Sequence, residues 1–178
     1  ESLAEELVKL HRSLSGLIRL NKTLLLMSKI ENGQFPQKGL INLTTLTEST
    51  VRMYQDIFSS KEICCDMTVE NEFIHEMDEQ MASVLVTNLI RNAFQYSPVH
   101  GHVNISFSSE GFVVSNSGES ALDKDKIFRR FYQPAGRREG STGLGLALVH
   151  SVCVHNGLDI SYDFRDSFHY FSVKLKNS

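Results

Sequence analysis

Asn88 and Asn92, in the run Asn88-Leu-Ile-Arg-Asn92, are the residues whose types and spacing most directly suggest chemistry. A separation of four puts both carboxamides on one helix face. Asn is a poor helix former, because its side chain competes for nearby backbone hydrogen bonds, so two in an otherwise apolar helix call for a reason. A neutral amide oxygen is a hard ligand suited to magnesium, which keeps several waters and takes its remaining ligands from phosphate. The same spacing also suits side chains that cap or bridge neighbouring loops. Later in the chain, Gly140-Ser-Thr-Gly143-Leu-Gly145-Leu146 places glycines and hydroxyls where a helical pattern begins. Glycine lets backbone approach closely, and the free N–H groups of a helix start favour phosphate. The run is neither G-x-x-x-x-G-K-[ST] nor a G-x-G-x-x-G directly after a strand, and a plain loop-to-helix junction would read the same way.

Smaller constellations lie between the two. Phe128-Arg-Arg-Phe131-Tyr132 spaces aromatics to anchor the loop that follows, and Arg129, Arg130, Arg137 and Arg138 either reach a phosphate or stay solvated. Val113-Val-Ser-Asn116-Ser-Gly118 reads as a strand ending in a polar turn. The seven histidines show no metal-binding spacing, and no nucleophile elbow is visible.

The elements that must position these residues follow from periodicity. Leu3, Leu7, Leu10, Leu14, Leu17 and Leu24 alternate in steps of three and four, a seam for packing against another helix, with Asn21 interrupting it. Asn32-Gly33 ends that helix and Pro36 forbids its continuation. A strand is expected at 40–43, a helix capped by Thr44 or Thr47 and running to Phe58, and strands at 62–69 and around Ile74. Asp78 starts the helix that carries the two carboxamides, and Ser97-Pro98 stops it. Strands at 103–107 and 112–115 form a hairpin. A short helical or irregular piece spans 123–131 and a mobile loop 133–142. A helix at 143–155 and strands at 159–164 and 169–176 close the chain. The fold class is α+β: a two-layer sandwich, helices on one face of a mixed sheet, preceded by a long amphipathic helix.

Composition narrows the classes. The chain has 178 residues, 41% of them hydrophobic, and a formal net charge of −3, which argues against nucleic acid as a partner. No apolar run is long enough to span a bilayer and no signal peptide opens the sequence. Three cysteines, Cys64, Cys65 and Cys153, fit reduced thiols in a cytosolic compartment better than disulfides or a zinc site.

Taken in order, the segments resemble the catalytic, ATP-binding domain of sensor histidine kinases, within the superfamily that includes DNA gyrase, the MutL repair proteins and the ninety-kilodalton heat-shock chaperones. Asn88 to Tyr96 looks like the N box, Asn116-Ser-Gly118 occupies the place of the first glycine box, Phe128 to Phe131 looks like the F box, and Gly140 to Leu146 looks like the second glycine box. The stretch from Leu20 to Gly33 is similar to the end of the second helix of the family's dimerisation and phosphoacceptor domain. The division implied is 1–36 for that partial helical domain and 37–178 for the catalytic domain. The first helix of the hairpin, with the phosphoacceptor histidine, is expected to precede this sequence.

The resemblance implies ATP and Mg2+ as cofactors, Asn92 as the metal ligand, and Asn88 and Arg130 as catalytic groups. It implies nucleotide contacts from Asn92, Gln95, Tyr96, Asn116, Gly118, Phe128, Phe131, Arg138, Thr142, Gly143, Leu144 and Gly145. The activity implied is transfer of the γ-phosphate to a histidine on the missing helix, with a response regulator receiver domain downstream, a homodimer formed through the helical domain, and a cytoplasmic position in a parent protein anchored in the inner membrane. The alternative is a degenerate nucleotide-binding module without kinase activity. An anti-sigma-factor serine kinase shares the site but lacks the helix ahead of Leu40. Two positions depart from the family pattern. Asn116 stands where Asp usually reads the adenine amino group, with Ser120 in place of a second glycine, and Gln95 stands where a basic residue is common. A charge-assisted hydrogen bond contributes ~1.5–3 kcal/mol against ~1 for a neutral one, so a tenfold weaker nucleotide affinity is expected.

Overall fold

A computed structural model describes residues 3–35, 37–134 and 142–176, apart from the side chain of Arg12. Helix α1 (Leu3–Glu31) is followed by strand β1 (Gly39–Asn42), helix α2 (Leu43–Ile57), a 3-10 turn (Ser59–Lys61) and strands β2 (Cys64–Val69) and β3 (Ile74–Met77). Helix α3 (Glu79–Tyr96), strands β4 (His102–Ser108) and β5 (Gly111–Ser117), helix α4 (Gly145–His155) and strands β6 (Leu158–Arg165) and β7 (Phe168–Leu175) complete it.

The sheet is mixed and five-stranded, in the order β2-β4-β5-β7-β6. Only β2 and β4 run parallel; β4–β5, β5–β7 and β6–β7 are antiparallel. Alternation along the strands gives the sheet one covered face. Val103, Ile105 and Phe107 of β4, Phe112 and Val114 of β5, and Phe171 and Val173 of β7 are all buried there. Helices α3 and α4 lie on that face, α3 through Met81, Leu85, Leu89 and Ile90, α4 through Leu148, Val149 and Val152. The molecule is therefore the expected two-layer α+β sandwich with a long helix ahead of it. A small second sheet pairs β1 with β3.

The local causes are legible. Asp78 caps α3, its carboxylate accepting from the N–H groups of Gln80 at 2.8 Å and Met81 at 3.3 Å. At the other end Lys61 Nζ donates to three backbone carbonyls, Phe94 at 3.0 Å, Gln95 at 2.7 Å and Ser97 at 2.8 Å. A cation at a helix C-terminus satisfies orphan carbonyls and complements the dipole, so the helix bearing Asn88 and Asn92 is pinned at both ends. The cap of α2 differs from expectation. Asn42 Oδ1 accepts from Thr45 N–H at 3.2 Å, while Thr44 Oγ1 is buried and accepts from Phe73 N–H at 2.9 Å. Thr47 lies inside the helix and donates back to Leu43 O at 2.7 Å. The segment 123–131 is a run of turns rather than a helix.

Helix α1 has two halves of different character. Met27 and Ile30 are buried, and Leu20, Leu24 and Leu26 pack against the core. Of the seam leucines, Leu3, Leu7, Leu10, Leu14 and Leu17 are exposed, whereas Leu24 packs against the core of the same molecule. A helix with so much apolar surface in water gains most from a second helix.

Candidate functional site

Between α3 and α4, above one end of the sheet, lies a cavity of about 810 Å3, within the usual range for small-molecule sites. Its wall on α3 is the flank bearing Asn88, Asn92 and Gln95, all partly buried, with Tyr96 at the helix end. Opposite are Thr142, Gly143 and Gly145, at the entry to α4. Asn116 and Gly118 come from the end of β5, and Ile127 and Tyr132 from the turns after it. Residues from the carboxamide run at 88–96 and from the glycine-rich run that leads into α4 thus share one space. Near the bottom of α1, Arg19, Thr23 and Leu26 also reach its rim.

The entry to α4 is shaped for close approach. Gly143 has φ +69°, and a Cβ there would stand 2.7 Å from the carbonyl carbon of Phe131 and 2.8 Å from Tyr132 O. Its carbonyl accepts from Phe131 N–H at 3.0 Å, tying the entry to the preceding turns. At Gly145 a Cβ would stand 3.1 Å from Asn88 Oδ1. Helix α4 begins after Leu144, which offers no side-chain cap. Its first N–H groups therefore carry the partial positive charge of an uncapped helix start.

Across from it, Asn88 is held at both ends of its carboxamide. Nδ2 donates to Val84 O at 2.7 Å, and Oδ1 accepts from Arg91 Nη2 at 2.7 Å. Arg91 lines the cavity and its guanidinium comes within 3.5 Å of a Cβ placed on Gly145. Sequence reasoning passed over Arg91, although it stands between the two carboxamides one turn before Gln95. His169 of β7 was also missed; it lines the cavity, and burial holds its imidazole below the ordinary 6.5, so it is neutral at pH 7.

Other expected residues stand elsewhere. Leu144 is fully buried in the core. Phe128 is partly buried, its ring 5.9 Å from that of His150, and anchors the turns rather than lining the cavity. Phe131 is 58% exposed. Arg130, expected at phosphate, forms an ion pair with Glu31 at the end of α1. Gly140 and Arg138 lie outside the described residues, as does most of the 133–142 loop.

A polar wall of neutral carboxamides, the guanidiniums of Arg91 and, at the rim, Arg19, and an uncapped helix start outweigh the one carboxylate on the described lining, Glu119, and suit a polyanion carried with a hydrated hard cation. Among the described residues no group of three or more His, Cys, Asp or Glu could hold a metal alone, so a metal here would draw on phosphate and water for its remaining ligands.

Comparison with known proteins gives a consistent result. The profile of the family described as "Histidine kinase-, DNA gyrase B-, and HSP90-like ATPase" matches residues 77–177. The sensor protein QseC of Escherichia coli K12 is 26% identical over 160 residues, covering 88% of this chain and 36% of that protein. The heme sensor protein HssS of Staphylococcus epidermidis is 30% identical over 145 residues, covering 78% and 32%. The chain thus spans about a third of the length of these curated relatives. Among solved structures, the Acinetobacter baumannii histidine kinase AdeS is similar in fold, with a TM-score of 0.76 at 22% identity, covering 99% of this chain and 86% of that one.

Proposed function

The chain belongs to the family of histidine kinase-, DNA gyrase B- and HSP90-like ATPases, and from that premise we propose that it is the ATP-binding catalytic core of a two-component sensor histidine kinase. Residues 37–178 are the nucleotide-binding unit and 1–36 the second helix of a dimerisation and phosphoacceptor domain. The observation that carries this reading is the single cavity lined by Asn88, Asn92 and Gln95 on one side and by Thr142, Gly143 and Gly145 on the other.

In this reading the phosphates lie along the entry to α4. The backbone N–H groups after Leu144 face them, and Gly143 and Gly145 leave room for them. Asn92 offers its amide oxygen to magnesium, and Asn116 offers a carboxamide to the base. Bound magnesium would supply charge neutralisation between the phosphates. The protein's part is positioning and electrostatic stabilisation, since phosphoryl transfer leaves little covalent chemistry to it. Asn88 contributes by fixing Arg91, whose cation supplies the positive charge that Gln95 lacks. The γ-phosphate acceptor is a histidine on a partner helix. The exposed leucine seam of α1 supports dimerisation through a helical bundle. A response regulator receiver domain is the next acceptor, and the working position is the cytoplasmic side of a membrane-anchored parent.

Calorimetry with ADP and with a non-hydrolysable ATP analogue, with and without magnesium, tests the site. Magnesium-dependent binding is expected. Asn92→Ala is expected to remove the magnesium dependence and leave the fold intact by circular dichroism. Absence of nucleotide binding by the native chain would turn the assignment towards the degenerate module. Transfer is tested in a longer chain that includes the phosphoacceptor helix, by labelled phosphate on histidine.

A further inference from the structure

Two polar residues interrupt the covered face of the sheet where it meets the cavity, and they stand directly opposite each other. The inward positions of β5 are Phe112, Val114 and Asn116; those of β7 are His169, Phe171 and Val173; Asn116 pairs with His169. The four apolar members are at most 2% exposed, and the two polar ones 1% and 9%. Polar groups buried on such a face are unfavourable unless hydrogen-bonded, so their partners define what remains for a ligand.

The partners of His169 fix its tautomer. Leu122 N–H donates to Tyr162 Oη at 3.0 Å, and Tyr162 Oη lies 2.9 Å from His169 Nδ1. The phenol accepts from the backbone, and among the described residues Nδ1 is the one recorded acceptor for its proton, so the arrangement that satisfies both buried groups has Oη–H donating to Nδ1. With Nδ1 accepting, the neutral imidazole carries its hydrogen on Nε2. Burial favours that neutral form. The ring is further held by Tyr162 and Phe164, with centroids at 5.9 Å and 5.0 Å. Gly118 is required beside it, since a Cβ there would stand 2.1 Å from Nε2. Asn116 Nδ2 donates to Ser117 O at 3.0 Å, leaving its oxygen as the acceptor. Both residues line the cavity. Directly opposed cross-strand residues have Cβ atoms about 4.5–5.5 Å apart, so one acceptor and one N–H donor sit side by side.

We propose that His169 is a specificity-determining residue of the nucleotide pocket. Its Nε2–H donates to ring nitrogen N1 of adenine, while the adenine 6-amino group donates to Asn116 Oδ1. The inference rests on the reading of the cavity as a nucleotide site. Adenine presents an amino donor beside a ring-nitrogen acceptor. Guanine presents a carbonyl acceptor beside an N–H donor, reversed at both positions, so it would set acceptor against acceptor and donor against donor. A site built to hydrogen-bond one edge rejects the other because its own buried groups are left unpaired.

The test is calorimetry with the magnesium complexes of ADP, GDP and 1-deaza-ADP, which keeps the 6-amino group and both phosphates but replaces N1 by C–H. The native chain is expected to bind ADP roughly tenfold more tightly than 1-deaza-ADP, and GDP more weakly than ADP. His169→Phe preserves a ring against Tyr162 and Phe164 and is expected to bind ADP and 1-deaza-ADP alike. His169→Gln keeps a donor at similar reach and is expected to restore most of the difference. Equal affinity of the native chain for ADP and 1-deaza-ADP overturns the role of His169 while the nucleotide site stands. So does a tenfold preference that survives in His169→Phe. Failure of the native chain to bind ADP at all overturns both. If His169→Phe does not fold, the native comparison of the two nucleotides decides alone.

Discussion

Arg91 Nη2 donates to Asn88 Oδ1 at 2.7 Å, so the first carboxamide of the pair serves a cation rather than standing free for a metal. That bond, with the one from Asn88 Nδ2 to Val84 O, orients the guanidinium towards the start of α4. Arg91→Met is expected to weaken a non-hydrolysable ATP analogue about tenfold, the size of one charge-assisted hydrogen bond of ~1.5 kcal/mol. The difference should shrink at high salt. Asn88→Ala should produce part of the same loss by releasing Arg91. Calorimetry at two salt concentrations checks both, and an unchanged affinity in Arg91→Met would remove Arg91 from the phosphate site.

Arg130 gives the opposite expectation. Its guanidinium is engaged by Glu31 of α1 and does not line the cavity. Both partners are about half exposed, and such pairs contribute only ~0–1 kcal/mol. Arg130→Gln should therefore shift the melting temperature by about 4 °C at most and leave ATP-analogue affinity within about twofold. A larger loss of affinity would show that the arginine leaves Glu31 when nucleotide binds.

How much of this was legible in the sequence depends on the range of the interactions. The helix bearing Asn88 and Asn92, its Asp78 cap and the β4–β5 hairpin follow from local periodicity and capping, and the structure has them. The cap of α2 was misplaced because Thr44, Thr47 and Asn42 are all competent capping types, and only the approach of Phe73 decides that Thr44 is used for a long-range bond. His169 was invisible for the same reason. Its meaning lies in pairing with Asn116 across two strands distant in sequence, and in a phenol from a third. Period-two alternation did carry a hint, since a histidine at an inward position of an otherwise apolar strand asks for a partner. Arg130 was drawn to phosphate by its motif, but the position of Glu31 depends on how α1 packs, which no local pattern reports.

Gly143 tests the geometry of the α4 entry directly. Gly143→Ala places a Cβ 2.7 Å from the Phe131 carbonyl carbon, in a backbone region at φ +69° that L-residues adopt with difficulty. The obstructing atoms are backbone, so the turn from Phe131 to Tyr132 must move. A destabilisation of about 1–3 kcal/mol is expected, several degrees in melting temperature. Nucleotide affinity should fall with it, because Thr142 and Gly145 are displaced together. Unchanged melting and binding would show that the entry adapts freely and does not define the pocket.

The thiols provide a pH test of the core beneath α4. Burial, helped by Asp159, pushes Cys153 up to about 12; burial first, then Asp66 and Cys64, pushes Cys65 up to about 11. The thiolate is the nucleophile, so at pH 8 roughly one Cys65 in a thousand is reactive, and Cys153 fewer still. Iodoacetamide on the folded protein should label exposed Cys64 first and leave Cys153 untouched until unfolding, which peptide mass spectrometry resolves. A folded value raised above the unfolded ~8.5 means stability that is complete below about pH 8.5. That stability is lost as pH rises towards the folded values, because the unfolded chain releases the proton first. The melting temperature should therefore decline from about pH 8.5 up to the folded values of about 11 and about 12, and Cys153→Ala should flatten part of the decline. Labelling of Cys153 in the folded protein at the rate of Cys64 would contradict the packing of α4 on α3 and β6.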